Sequence, residues 1–279
     1  MPWSPESSSA PTGGKDDNKT KLSSWTDPVR DHLSEGGNWI APFIAAGATM
    51  GLWTFYQTYL RRIPNSAHVS PRHFHRRSLF GKVTSVGDGD GFHLYHTPGG
   101  RLAGWGWLRK VPKLKKELKG QTIPIRIAGV DAPEGGHFGR TAQPFASEAM
   151  KFLDSCIINR RVRAYVWRRD QYDRIVATVY VRRPPFFLRK DVSMELLKHG
   201  LATTYEAKTG AEFGGPSKEF EYKAAEESAR QQGKGMWSLE KGGGFFHPSK
   251  KAQEIETPMA YKRRMKLAEE QQKIQKTNV

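Results

Sequence analysis

The sequence contains one cysteine, Cys156. It can therefore form no disulfide within the chain and no cysteine-based zinc site. The neighbours Phe152, Leu153 and Ile157 place this thiol on the apolar side of a helix, where it packs rather than reacts. Acidic side chains are also in short supply. Against 45 Lys and Arg stand 28 Asp and Glu, leaving a net charge of +17 over 279 residues. An excess of this size suits a polyanionic partner, either nucleic acid or an anionic membrane surface, and charge alone does not choose between them.

A third absence is local. From Gly36 to Leu60 there is no Asp, Glu, Lys or Arg. At about 1.5 Å per residue, the apolar heart of this run, Trp39 to Tyr56, can cross a bilayer core of about 30 Å. Trp39, Tyr56 and Tyr59 stand near its ends as interface aromatics do, and Arg61 and Arg62 stop it. The run reads as a single transmembrane helix over 36–60 that ties the chain to a lipid bilayer. Arg61, Arg62, Arg72, Arg76 and Arg77 crowd its C-terminal flank, which keeps the rest of the chain on the side of synthesis, or in the matrix for an inner mitochondrial protein. Residues 1–35 are polar and read as disordered. Asp16, Asp17, Asp27, Asp31 and Glu35 exclude an acid-poor transit peptide there. Residues 61–77 read as an unstructured basic linker in which His68, His73 and His75 are solvated rather than metal-bound.

A globular pattern begins near Ser78. Lys82–Val86 and Phe92–His96 flank a Gly-Asp-Gly-Asp-Gly turn, and Ile123, Ile125 and Ile127 alternate with other residues as one apolar face of a strand. Val162, Ala164 and Val166 alternate again, and Ile175–Val181 is rich in β-branched residues. Helices are expected over Pro144–Cys156, from an Asp191 cap to His199, and over Pro216–Gln232. This order gives an α+β chain, a small antiparallel barrel with about three packed helices. Residues 98–121 look like an insertion between two strands. They are strongly basic, with Lys110, Lys113, Lys115 and Lys116 beside Trp105 and Trp107. Such a segment can grip phosphates and stack bases, lie on anionic lipid, or form a solvated loop. The tail beyond 241 is polar, with a charged helix over Met259–Lys273.

Three segments carry chemistry. In Val86-Gly87-Asp88-Gly89-Asp90-Gly91, two carboxylates in a glycine-rich turn can point into one cavity and suit calcium or magnesium, although an Asp-Gly-Asp turn is also an ordinary hairpin. The segment Arg126-Ile127-Ala128-Gly129-Val130-Asp131-Ala132-Pro133-Glu134 ends an apolar strand in two acids and carries an arginine on the same strand. Phosphodiester cleavage needs these types together: a carboxylate for a metal, another for water, and a guanidinium for the charge gathering on phosphate. A surface salt-bridge cluster would look the same. In Asp170-Gln171-Tyr172-Asp173-Arg174, Arg174 stands at the mouth of a hairpin, where a structural ion pair is the plainer reading.

In this order, and followed by Gly233-Lys234-Gly235-Met236-Trp237-Ser238, these segments resemble the thermonuclease (staphylococcal nuclease-like) family over roughly residues 78–240. That family's pattern is an Asp-Gly-Asp turn, Arg-x-x-x-Val-Asp-x-Pro-Glu, Tyr-Gly-Arg and Gly-x-x-Trp-Ser. The layout, with an anchor in front and a basic insertion, is similar to the fungal mitochondrial membrane-bound endonucleases of the long-chronological-lifespan type. The resemblance implies an OB-fold five-stranded barrel and a calcium-dependent endonuclease acting on DNA or RNA, single strands included. It implies calcium held by Asp90 and Asp131, with Asp88 in a weaker supporting role. Glu134 would activate or orient water, Arg126 and Arg174 would hold the phosphate, and cleavage would leave 3′-phosphate ends. Three positions depart from the pattern: Gly91 and Ala132 stand where threonine is common, and Asp173 replaces the glycine of Tyr-Gly-Arg. The alternative is a catalytically inactive OB-fold that binds nucleic acid or serves as a scaffold at a membrane.

Overall fold

The computed structural model describes residues 40–136, 141–184, 188–205, 213–240 and 256–277. The N-terminal 35 residues, residues 36–39 of the apolar run and residues 241–255 lie outside this description. The chain divides into two units, Met1–Thr58 and Tyr59–Val279.

In the first unit, Ile40–Phe55 forms helix α1, followed by a π-helical turn over Tyr56–Leu60. Its 16 residues make about 24 Å of regular helix at 1.5 Å each. Among the described residues, no helix is long and apolar enough to cross a membrane. Of the spanning helix expected over 36–60, residues 36–39 lie outside the description, and the α ladder of the rest gives way to the π turn at Tyr56. Its side chains are nonetheless apolar and exposed: Phe43, Ile44, Met50, Leu52 and Trp53 all project outward. Its hydroxyls fold back onto their own helix, Thr49 Oγ1 donating to Ala45 O at 2.7 Å and Thr54 Oγ1 to Gly51 O at 2.9 Å.

The second unit is built on strands β1 (Ser78–Val86), β2 (Gly91–His96), β3 (Ile123–Ile127), β5 (Arg161–Arg169) and β6 (Ile175–Arg183). They run in the order β3-β2-β1-β5-β6, and a parallel pairing of β3 with β6 closes the sheet into a five-strand barrel. Closure needs tight local bending, supplied by irregularities in β1 at Val83/Ser85 and in β5 at Val166/Arg168. Alternation along the strands puts Leu79, Val83, Ile123, Ile125, Ile127, Val162, Ala164 and Val166 in the core, as the sequence pattern requires. A short strand β4 (Val130–Asp131) pairs with β8 (Thr203–Thr204), and β7 (Leu188–Asp191) extends the sheet beyond β6. The fold is α+β, with a closed barrel of the OB type.

Helix α2 is the short Lys115–Leu118. Helix α3 (Ala146–Ile157) begins two residues later than expected, because Phe145 takes φ +66°. Helix α4 (Val192–Lys198) starts on Asp191, whose carboxylate accepts from Ser193 N at 3.1 Å. Its second oxygen accepts from Lys218 Nζ and Tyr222 Oη at 2.8 Å each, so one cap also pins helix α5 (Pro216–Gln232). The charged helix expected in the tail is α6, Pro258–Thr277.

Residues 61–77 differ from the unstructured linker expected of them. They form two short 3-10 turns and lie against the barrel: Val69 is buried, Arg169 Nη2 donates to Ser66 O at 2.6 Å, and Arg62 bonds Gln121. The basic composition concealed the apolar contacts of Ile63, Val69 and Phe74. The two tryptophans of the insertion also part company. Trp105 is 3% exposed, with Arg109 stacked 4.0 Å from its ring centre, whereas Trp107 is 69% exposed. Only the second is available to a ligand.

Candidate active site

The turn between β1 and β2 and the C-terminal end of β3 lie side by side. Gly91 pairs with Arg126, and Ile127 N donates to Asp90 O at 2.8 Å, which fixes Asp90 at the strand end. After β3 the chain turns at Gly129, with φ +75°, where an added Cβ would approach Phe213 and Tyr222 within 2.9 Å. That reversal returns the chain as β4, and the pairing of Asp131 with Thr203 holds the second carboxylate beneath the barrel rim.

Arg126 joins the two acids. Its Nη2 lies 3.1 Å from Asp131 Oδ1 and 3.4 Å from Asp90 Oδ2. Asp131 is 1% exposed and Asp90 7%, so this is a buried charge cluster rather than a surface bridge. Although burial opposes it, the two carboxylates hold the guanidinium above its ordinary range. Burial, and after it the charges of Asp88 and Asp131, push the Asp90 carboxyl up to about 7 despite Arg126. The cluster is short of positive charge. Asp131 Oδ2 and Asp88 Oδ1 are buried with no hydrogen-bond partner among the described residues.

A lysine lies beside these atoms without meeting either of the two partnerless oxygens. Lys262 of α6 places Nζ 2.7 Å from Asp131 Oδ1 and 2.7 Å from Glu134 Oε1. Burial opposes its charge, yet the two carboxylates hold the ammonium above its ordinary range. Tyr261, buried next to it, anchors the helix by donating to Thr141 O. Glu134 is fixed from behind by Gln143, whose Oε1 accepts from Glu134 N and whose own N donates to Glu134 O, both at 2.9 Å.

The residues fit a hard divalent cation. Two buried aspartates, partnerless oxygens and an ammonium lying between carboxylates offer the donors such a cation needs. Among the described residues no three His, Cys, Asp or Glu side chains converge as a ready cage. The ion would rest on Asp90 and Asp131, with carbonyls or water completing the oxygen shell that calcium accepts.

Arg174 is not drawn into the cluster. Its Nε donates to Asp170 Oδ2 at 2.8 Å and its N to Asp170 Oδ1 at 2.9 Å. Despite burial, these bonds hold the Asp170 carboxyl below its usual range. Arg126 pairs with Val176, two residues after Arg174, so the backbones of the two arginines lie on neighbouring strands, about 8 Å apart on the diagonal. Asp173 keeps the left-handed conformation of the glycine it replaces, with φ +60°, so the hairpin still delivers Arg174 to this position. At Gly91, an added Cβ would meet Asp88 Oδ1 at 2.5 Å, so the missing threonine is what lets Asp88 fold into the cluster.

The four insertion lysines are elsewhere. The segment joins the end of β2 to the start of β3, while Asp90 precedes β2 and Arg126 lies near the end of β3. Lys110, Lys113, Lys115 and Lys116 therefore sit toward the opposite end of the barrel strands from the carboxylates. Lys110 and Lys113 line a groove there, and Lys115 and Lys116 lie exposed on α2. Sequence reasoning missed Lys262, Gln143 and Tyr205, whose ring lies 5.0 Å below the Arg126 guanidinium. Nothing in the local pattern marks the first, 131 residues from Asp131. Gln143, a buried amide ahead of an apolar helix, was the one readable hint.

A closed barrel with arginines and crowded carboxylates at one rim defines a hydrolase of phosphodiester bonds. The comparisons with known proteins agree. The chain belongs to the staphylococcal nuclease homologue family, whose pattern matches residues 124–239. It is 89% identical over 273 residues to "Probable endonuclease LCL3" of Podospora anserina, covering 98% of this chain and 99% of that one. The protein of the same name from Pyricularia oryzae is 55% identical over 237 residues, covering 85% and 89%. That from Colletotrichum graminicola is 50% identical over 273 residues, covering 95% and 94%.

Proposed function

We propose that the chain is a calcium-dependent endonuclease that cleaves DNA or RNA at the barrel rim. The observation that carries this reading is the buried Arg126 bridge between Asp90 and Asp131, with Glu134 on the same loop. Asp90 and Asp131 hold the cation, which, when bound, supplies charge neutralisation at the scissile phosphate. Arg126 and Arg174 bind phosphate oxygens and stabilise the charge that develops on them. Glu134, 35% exposed and clamped by Gln143, takes a proton from the attacking water or aligns it. The proton and the attacking oxygen thus meet on a carboxylate whose backbone cannot drift. Hydrolysis tests the reading: the full chain cuts a single-stranded oligonucleotide, whereas a chain that binds it and leaves it intact is an inert barrel.

The ammonium of Lys262 occupies part of the cation position in this reading. Replacing it with methionine keeps the packing of the stem and removes the competing charge. Lys262→Met is expected to bind calcium about tenfold more tightly, the equivalent of ~1.4 kcal/mol, in a direct calorimetric titration. An unchanged affinity shows that Lys262 and the ion do not share a position.

The same proposal puts the chain at a membrane, mitochondrial by resemblance, through the exposed apolar side chains of α1. The support is chemical: Phe43 is 74% and Trp53 61% exposed on a helix with no charged side chain. On fractionation the full chain stays with membranes through a high-salt wash. Release into the wash places the attachment on its basic charge instead.

A further inference from the structure

The barrel carries a second cationic feature, remote from the carboxylates. The outer faces of β1, β5, β6 and β7 and the insertion enclose a groove of about 1310 Å³. Nine of the residues lining it are Lys or Arg and none is Asp or Glu, so it is far more cationic than the chain as a whole. The groove is also aromatic. Phe80, Trp107, Tyr165 and Tyr180 line it. The guanidinium of Arg189 lies 4.8 Å from the Tyr180 ring centre and 5.8 Å from that of Tyr165, and Arg163 lies 5.4 Å from Phe80. Trp107 is fixed by its Nε1–H donating to Arg101 O at 3.0 Å, leaving its ring presented to solvent.

We infer that this groove is a docking site for a single nucleic-acid strand, separate from the catalytic rim. The inference rests on the endonuclease reading above and adds where the substrate is held. Rows of guanidinium groups interleaved with ring faces match a phosphate backbone carrying bases that stack, without regard to sequence. The interleaved ring faces distinguish this partner from a lipid surface, which offers phosphate but no bases to stack.

Its position relative to the site follows from β-strand register. On β5, Arg163 pairs with Tyr180 in the groove, while Arg169 pairs with Ile175 next to Arg174. Five residues of β6, from Tyr180 to Ile175, separate the two, about 17 Å at 3.3 Å each, the extra residue of β5 being taken up by its bulge. At 3.4 Å per nucleotide along a helical strand, about five nucleotides reach from one to the other, and fewer if the strand is stretched. A strand seated in the groove would run along the β5–β6 ribbon to the arginines of the rim. Very short substrates would miss it.

The test combines Arg163→Gln, Arg182→Gln and Arg189→Gln in the full chain. All three side chains are exposed, so the barrel core is untouched. Binding of a labelled single strand of about 20 nucleotides is followed by fluorescence anisotropy with chelator present, so that cleavage plays no part. The triple variant is expected to lose at least tenfold in affinity. Its salt dependence should fall by about 2 in the slope of log K against log salt, as three lost phosphate contacts predict. Affinity for a trinucleotide should change far less. Equal affinity of the two proteins for the long strand overturns the inference. So does a loss seen only with phosphatidylserine vesicles, which makes the groove a lipid surface; both proteins carry the same α1, so the difference isolates the groove. Wild-type cleavage of a short oligonucleotide reads the rim separately. Cutting without groove-dependent binding removes the groove alone, and groove-dependent binding without cutting removes the endonuclease reading alone.

Discussion

Glu134→Gln is expected to lower kcat for oligonucleotide cleavage by about 10² to 10³ while leaving substrate affinity within a few-fold. The substitution keeps size and the clamp from Gln143, which bonds only the Glu134 backbone. What it removes is the carboxylate proposed to accept the proton, and one of the two anionic partners of Lys262. A loss confined to kcat is the mark of a group that acts on the reacting water. A loss confined to binding, or none, takes Glu134 out of the chemistry. Folding is controlled by the melting temperature. Glu134 is half-exposed at the rim, so a shift of more than a few degrees would point to a structural role instead.

The second large effect is expected of Arg126. Arg126→Lys retains the positive charge but loses the fork that reaches two carboxylates at 3.1 and 3.4 Å. Lysine is a point charge on a flexible stem and cannot hold both acids and a phosphate in one plane. Cleavage should fall by about 10² to 10³. Arg126→Met should also cost stability, about 3 to 5 kcal/mol, because two buried carboxylates are left without their guanidinium. Denaturant titration beside the kinetics separates the two roles. The Lys variant should fold nearly as wild type and cleave poorly, and the Met variant should do neither well. Wild-type activity in Arg126→Lys would show that the bridge is structural only.

The sequence was informative where a side chain's task is set by its near neighbours. Alternation along Ile123, Ile125 and Ile127 and along Val162, Ala164 and Val166 reports a pleated strand with one buried face, and the barrel has it. The Asp191 cap and the Pro216 start were legible for the same reason, since capping is a local exchange of hydrogen bonds. Asp90, Arg126 and Asp131 were singled out by the resemblance of their motifs, and the strand register that brings them together is seen only in the fold. Long-range placement was not legible. Lys262 reaches Asp131 only because Tyr261 docks its helix near Thr141, and no periodicity announces a contact of that span. The basic composition of 98–121 left phosphate, lipid and solvent all open, and did not show that β2 and β3 carry the insertion toward the end of the barrel opposite the carboxylates. Residues 61–77 looked unstructured because their basic charge outweighed three apolar side chains that in fact dock. The apolar run was read at full length, whereas the described helix loses α register at Tyr56.

The most direct measurement is cleavage of an end-labelled single-stranded oligonucleotide by the full chain with calcium, with magnesium and with chelator, the product ends identified by mass. A calcium-dependent nuclease built on Asp90, Asp131 and Glu134 cuts with calcium, stops with chelator and leaves 3′-phosphate ends. A chain that binds the strand yet leaves it intact under all three conditions contradicts that function and makes the barrel a binding module.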